Sequence, residues 1–501
     1  MENFHGVHLS KSKYCKAVQC LKILWLDKYK TKEKVKTTRE SVLENGRKVG
    51  KIAKSLFGKY EDVPYDENLN VMIRRTNSLL KNKPNIITEA CFNYDNNFCS
   101  VDILKNDNDG IEIYEVKSST QVNDMYLEDA SYQYYILSNL GFNIKKVSIV
   151  YINNEYIRQG NLDINRLFNI QDITEIAKAK QEEIRNKIAQ INEYMRKNDE
   201  ENEPESKLGL HCENPYECEY WQYCTRNLPK PNVFNIAGMY KTTKFKKYNK
   251  GVISFEDLQY EDMNKKYLEQ IDFEIHNRED KIDIDNIKAF MNTLSFPIYF
   301  LDFETFQQSI PEFDGVSPYM QIPFQYSLHY IEKENGEIKH KEFLAEAGVD
   351  PRRKLAERLV QNIPQNVCVT AYNMGFEKGV IKKLAQLYPD LAEHLLNIRE
   401  NIKDLMIPFS KRYYYTKALH GSYSIKYVLP ALFPDDPELN YHNLPVVHNG
   451  MEASDTFLSL SGKTKEEQEI LRKGLLEYCK LDTYAMVRIW QKLKEIIEEN
   501  A

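Results

Sequence analysis

Ile298-Tyr299-Phe300-Leu301-Asp302-Phe303-Glu304-Thr305-Phe306 joins an apolar run to two carboxylates spaced two apart. Four strand-forming residues follow Pro297 and run straight into Asp302-Phe303-Glu304. An apolar run of this length reads as a buried strand. Side chains alternate along a strand, so Asp302 and Glu304 point to one face. Two carboxylates on one buried face repel each other and are costly to desolvate unless a cation lies between them. A hard divalent ion, Mg²⁺ or Mn²⁺, takes oxygen ligands and meets that need. On an edge strand the same pair would be solvated and carry no function.

Two later stretches extend the pattern. Thr370 to Val380, Thr-Ala-Tyr-Asn-Met-Gly-Phe-Glu-Lys-Gly-Val, follows a predicted strand over 367–372 and places Asn373 and Glu377 at the start of a helix. Leu476 to Arg488 reads Leu-Glu-Tyr-Cys-Lys-Leu-Asp-Thr-Tyr-Ala-Met-Val-Arg. Tyr478 and Asp482 are four apart there and share a helix face. These three ordered motifs, over roughly 295–495, resemble the DEDD superfamily of 3′–5′ exonucleases, the RNase H-like fold of proofreading domains. The resemblance implies that Asp302, Glu304, Glu377 and Asp482 hold two metal ions. It also implies that Tyr478, the mark of the Tyr subclass, positions the attacking water. Glu377 stands where that family usually has Asp. Gly421 to Leu432 is similar to the helix that follows the middle motif.

The N-terminal half reads differently. Helical patterns over 9–30, 38–58 and 70–81 are followed by strands over 86–94, 98–104 and 111–117, with a turn at 106–110. In the second helical pattern Gly46 and Gly50 share a face and suit close packing. A helix over 129–140 and a strand over 146–152 complete an α/β sheet. Strict alternation places Glu115 and Lys117 on one face, and Asp102 lies across the hairpin. Two carboxylates beside a lysine suit another hard metal, with the lysine orienting water or neutralising phosphate charge. This arrangement resembles the PD-(D/E)XK nuclease fold, in particular its RecB-like branch. The resemblance implies catalytic roles for Asp102, Glu115, Lys117 and Gln133, with Glu89 an auxiliary acid. The branch often carries a metal-binding His on its early helix. None occurs between His8 and His211, and Glu44 is the substitute the sequence offers.

Residues 160–207 are polar and charged, helical in pattern through Arg196, with an acidic, Pro-containing break over 199–206. Cys212, Cys218 and Cys224 follow at six-residue spacing. A tetrahedral thiolate site needs a fourth ligand. RecB-like iron–sulfur nucleases, including CRISPR-associated members, carry one Cys near the N-terminus and three after the core. That resemblance implies a [4Fe–4S] cluster on Cys20, Cys212, Cys218 and Cys224, with Cys15 the rival for the first place. Four thiolates also suit Zn²⁺, with His211 able to replace one. The role would be structural, tying residue 20 to 212–224.

With 501 residues and 42% hydrophobic content, two to four domains are expected. No run is long and apolar enough for a membrane span, no signal segment leads the chain, and the nine Cys suit a reducing cytoplasm. The net charge of −6 hides an asymmetry: residues 11–59 hold fifteen Lys and Arg against four acids, and 241–250 add five Lys. Such patches suit phosphates, and a solvated lysine-rich surface is the plainer reading. The expected architecture is a RecB-like nuclease domain with its cysteine cluster (1–226), a connector (227–290) and a DEDD exonuclease-like domain (291–501). The expected function is a metal-dependent nuclease on DNA more than RNA, acting from single-stranded ends. The alternative is a nucleic-acid-binding scaffold with decayed nuclease folds, or a subunit of a defence or repair complex.

Overall fold

Apolar alternation after residue 85 builds the first sheet of the computed structural model, which describes residues 8–107 and 109–500. The strands are β1 (Leu9–Ser10), β2 (Glu61–Asp62), β3 (Ile86–Tyr94), β4 (Asn97–Asp107), β5 (Gly110–Lys117), β6 (Ile144–Ile152) and β7 (Phe168–Asp172). They run in the order β2-β3-β4-β5-β6-β7, with β1 beside β4. β3, β4 and β5 form an antiparallel meander, and the turn between the last two includes residue 108, outside the described residues. β5 and β6 are parallel and are joined through the helix Asp124–Asn139, the crossover that parallel pairing requires. Tyr132 of this helix, with Tyr14 and Trp25 of the early helices, is fully buried in the core.

The helical pattern over 9–30 is two helices, Lys11–Gln19 and Leu21–Tyr29. The break falls on Cys20, whose φ of −162° is extended backbone. Gly46 and Gly50 lie in the helix Glu40–Ala53, but a Cβ added at either would meet nothing within 4 Å. No close packing depends on them, contrary to the expectation from their spacing.

Contacts divide the chain into residues 1–227 with 308–319, and 228–307 with 320–501. The sequence-based boundary at 291 puts Gln308–Tyr319 in the later domain. The contacts put it in the first unit, and local hydrogen bonds explain why. Arg158 N–H donates to Val316 O at 3.1 Å, Gly315 N–H to Arg158 O at 2.9 Å, and Gly160 N–H to Asp314 Oδ1 at 2.8 Å. Asn45 Nδ2 donates to the Tyr319 hydroxyl at 3.3 Å, and that hydroxyl donates to Ser118 O.

The second unit begins with helices, among them Lys241–Asn249, Lys265–His276 and Ile284–Met291. Its strands are β8 (Lys281–Ile282), β9 (Ile298–Phe306), β10 (Ile322–Ile331), β11 (Lys339–Leu344), β12 (Cys368–Ala371), β13 (Ile402–Asp404) and β14 (Tyr414–Tyr415). The main sheet has the order β11-β10-β9-β12-β13, and β14 pairs with β8. β9, β10 and β11 are antiparallel, while β12 and β13 run parallel to β9. The helix Gly375–Leu387 follows β12. The long helix Lys465–Glu499 starts at a Thr464/Glu467 capping box and packs against β9 and β10. Its buried stripe includes Leu475, Tyr478, Cys479, Met486 and Trp490, the helical period of a core-facing side. Among the described residues no helix is long and apolar enough to cross a membrane.

Candidate metal centres

β9 is central in its sheet, and its period of two aims Asp302 and Glu304 at the long helix. That helix returns Asp482 to the same point. One carboxylate oxygen from each of the three lies within 4.8 Å of the others. The backbone approaches closely too: a Cβ at Gly450 would stand 3.2 Å from Glu304 Oε2. Gly450 opens the helix Gly450–Ser459, so a helix N-terminus faces that carboxylate. Glu377, in the first turn of its helix, is 2% exposed, and its Oε2 meets no hydrogen-bond donor.

Charge piles up here without full compensation. Burial pushes the Asp302 carboxyl well above the usual range, and Asp482, Glu304 and Glu377 push it further. Burial and Asp482 do the same to Glu304, which the Lys426 charge partly relieves. Glu377 is raised to about 8 by burial, with Asp404 adding. Asp482 rises only to about 6, because the Tyr441 and Tyr478 hydroxyls hydrogen-bond to it against the effect of burial. Tyr441 Oη donates to Asp482 Oδ1 at 2.6 Å, and its ring centroid is 5.9 Å from that of Tyr478. A cleft of about 870 Å³ opens beside this point, lined by Lys426, Phe433, Tyr441, His448 and Asn449 among others. Unpaired carboxylates converging on one buried point are a donor set for hard divalent ions; the residues present fit that group.

A polar seam fixes the long helix one residue further on. The Thr483 hydroxyl lies 2.7 Å from Ser327 Oγ and 2.7 Å from His329 Nδ1. Ser327 faces Asp302 in the β10–β9 register, so the seam adjoins the carboxylates.

In the first unit the β4–β5 hairpin brings Asp102 beside Glu115: Val116 N–H donates to Asp102 Oδ2 at 2.7 Å. Glu115 Oε1 accepts from Lys117 Nζ at 2.7 Å, and Oε2 accepts from Gln133 Nε2 at 2.6 Å. Asp102, Glu115, Lys117 and Gln133 therefore share one centre. Two further residues belong to it. Lys11 Nζ donates to Glu115 Oε1 at 2.8 Å and sits 3.3 Å from Asp129 Oδ1, and Lys117 also bonds Asp129. Burial would raise Glu115, but Lys11 and Lys117 hold it well below the usual carboxylate range. Burial raises Asp102 to about 8, with the Glu115 charge adding. Glu89, at φ of 57° on β3, pairs with Lys54 at 3.2 Å, and its charge also acts on Asp102. Glu44 is exposed and pairs with Lys48 at 3.1 Å, so it does not replace the expected His. Part of the basic N-terminal stretch is engaged in ion pairs: Lys11, Lys16, Lys34 and Lys54 all pair with acids.

Cys20, Cys212, Cys218 and Cys224 line one small cavity, with His211 and Trp221 beside them. Gln19 Nε2 donates to both His211 O and Tyr216 O at 2.7 Å and locks the first helix onto the cysteine loop. Cys15 is elsewhere. It is half-buried near Asp129, Lys11 and Lys117, whose charges act on its thiol.

Sequence reading missed Lys11, Asp129, Lys426 and Tyr441. Asp129 carries a signal in hindsight: it is four residues before Gln133 and shares its helix face. The other three reach their centres from distant, irregularly placed positions that no periodicity marks.

No curated protein and no solved structure matches the chain. A domain-family model described as a Domain of unknown function (DUF2779) matches residues 299–424, a span that holds Asp302, Glu304 and Glu377 and ends before Tyr478 and Asp482.

Proposed function

We propose that the protein is a metal-dependent nuclease, a DNA 3′–5′ exonuclease whose hydrolytic centre is Asp302, Glu304, Glu377 and Asp482. The observation that carries this reading is the convergence of carboxylate oxygens from β9 and the long helix within 4.8 Å. The orphaned, buried Glu377 Oε2 supports it, because an unpaired buried carboxylate is costly without a cation. The sheet order and the carboxylates on its central strand support an RNase H-like domain, as the hairpin with Asp102, Glu115 and Lys117 supports a PD-(D/E)XK-like one.

Bound Mg²⁺ or Mn²⁺ would supply activation of the attacking water and charge stabilisation at the attacking and leaving oxygens. The chain's own residues do the rest. Tyr478, whose hydroxyl reaches Asp482, orients the water. Lys426 places a positive charge where the phosphate enters from the cleft. The cleft holds the strand end, and aromatic Phe433 and Tyr441 in its wall offer stacking surfaces that tolerate any base.

The four thiols are read as ligands of a [4Fe–4S] cluster. Their lining of one small cavity supports a shared ligand, and four thiolates would also suit a single Zn²⁺. For the first unit, the lysine-neutralised centre favours a binding role over cleavage.

The test is release of mononucleotides from end-labelled single- and double-stranded DNA and RNA with Mn²⁺. Wild-type protein should shorten single-stranded DNA from its 3′ end, and Asp302→Ala should abolish release. Undiminished release by that variant would overturn the assignment.

A further inference from the structure

The centre around Glu115 differs from the one around Asp302 in its charge balance. Two carboxylates, Glu115 and Asp129, each pair with two ammonium groups, Lys11 and Lys117, whose charges also act on Asp102. Both Glu115 oxygens are engaged, Oε1 by the two lysines and Oε2 by Gln133. One Asp102 oxygen is held by the Val116 N–H, and both Asp129 oxygens face lysines. Asp102 Oδ1 and Asp129 Oδ1 are left without a hydrogen bond, and the Lys11 ammonium stands 3.3 Å from the latter, so a cation of the chain's own already occupies the place a divalent ion would take.

Lys11 is held in place by its surroundings. Leu9 and Ser10 pair with Asn97 and Phe98 of β4. The Tyr132 hydroxyl donates to Leu9 O at 2.8 Å. Ser10 caps the helix by accepting from Lys13 N–H, which makes Lys11 its first residue. Strand, cap and tyrosine together aim one side chain at Glu115 across 104 residues of sequence.

We propose that the Lys11 ammonium is a built-in cation that takes the place of a divalent ion among Asp102, Glu115 and Asp129 and keeps this centre closed to metal. An ammonium brings three donors and one charge to oxygens that a divalent ion would otherwise bridge. The first unit then keeps the shape of a metal nuclease without the metal. This inference is independent of the reading of the second unit.

The experiment uses the full chain with Asp302→Asn and Asp482→Asn, which removes the other carboxylate centre, and follows Mn²⁺ binding by electron paramagnetic resonance. With Lys11 present, the remaining binding should be weak. Lys11→Met, which keeps the apolar stem, should bind Mn²⁺ at least about tenfold more tightly, and adding Glu115→Gln should abolish the gain. Lys11→Gln serves as a second variant of different shape. A folded Lys11 variant without that gain, or equal binding with Lys11 intact, overturns the proposal. A measurement that needs no Lys11 substitution accompanies these. Amine-reactive labelling read by mass spectrometry should leave Lys11 protected with or without millimolar Mn²⁺. Labelling that appears only with Mn²⁺ would mean that the metal displaces the lysine, and would also overturn it.

Discussion

The Tyr441 hydroxyl donates to Asp482 Oδ1 at 2.6 Å, from a loop 41 residues earlier in the chain. The cleft wall and a carboxylate of the candidate centre are thus joined by one hydrogen bond. Without that donor the Asp482 carboxylate is less stabilised, so its proton affinity rises and protons compete better with metal. Tyr441→Phe should shift the pH profile of Mn²⁺ binding to the alkaline side by about one unit, worth about 1.4 kcal/mol. Binding titrations from pH 5.5 to 8.5 check this. An unshifted profile would mean that the bond is incidental.

Glu377 predicts a conflict between stability and metal binding. Its carboxyl titrates near 8 in the folded chain because of burial. The folded state therefore binds the proton more tightly than the unfolded one. Stability is fully present at acid pH and is lost as pH rises from about 4.3 through 8. Without metal, Glu377→Gln should raise stability by about 3 kcal/mol at pH 7, while lowering Mn²⁺ affinity. Thermal denaturation with and without Mn²⁺ should show the order of the two proteins reverse.

His329 gives the opposite slope. Burial holds its imidazole down to about 3, with His340 and Lys480 adding. The unfolded chain takes up the proton first, so stability falls as pH drops below about 6.5, by about 2 kcal/mol at pH 5. His329→Gln should flatten that limb. Thr483→Val, which leaves Ser327 and His329 short of a partner, should cost about 1–3 kcal/mol at all pH values. Urea unfolding at pH 5 and pH 7.5 distinguishes the two.

The cysteines separate cleanly. Cys20→Ser or Cys218→Ser should remove the broad visible absorbance expected of an anaerobically purified iron–sulfur protein and lower its melting temperature. Cys15→Ser should keep the colour, because Cys15 lies away from the cavity that the four thiols line. Zinc without iron in metal analysis of the wild type would replace the cluster by a single ion.

What the sequence made legible was periodic. Asp302 and Glu304 alternate along a strand, Tyr478 and Asp482 sit one helical turn apart, and Glu115 and Lys117 alternate across from Asp102. In each case a local period fixes the shared face, whatever the rest of the chain does. What stayed hidden depends on distant contacts. Lys11 looks like one lysine among many in a basic stretch, and only the β1–β4 pairing directs it to Glu115. Tyr441 lies in an irregular segment, where spacing says nothing about direction. Glu89 reads as a strand acid, and its pairing with Lys54 depends on a contact that strand periodicity does not encode.

The segment Gln308–Tyr319 has a genetic consequence. The chain passes from one unit to the other after residue 227, after 307 and again after 319. No single break in the reading frame separates the two units cleanly. A break after 227 delivers a first unit stripped of the residues beside Ser118, and a break after 307 or 319 takes β9 away from the second. Exchanging one unit for another takes breaks at all three crossings, so the two halves are expected to be inherited together.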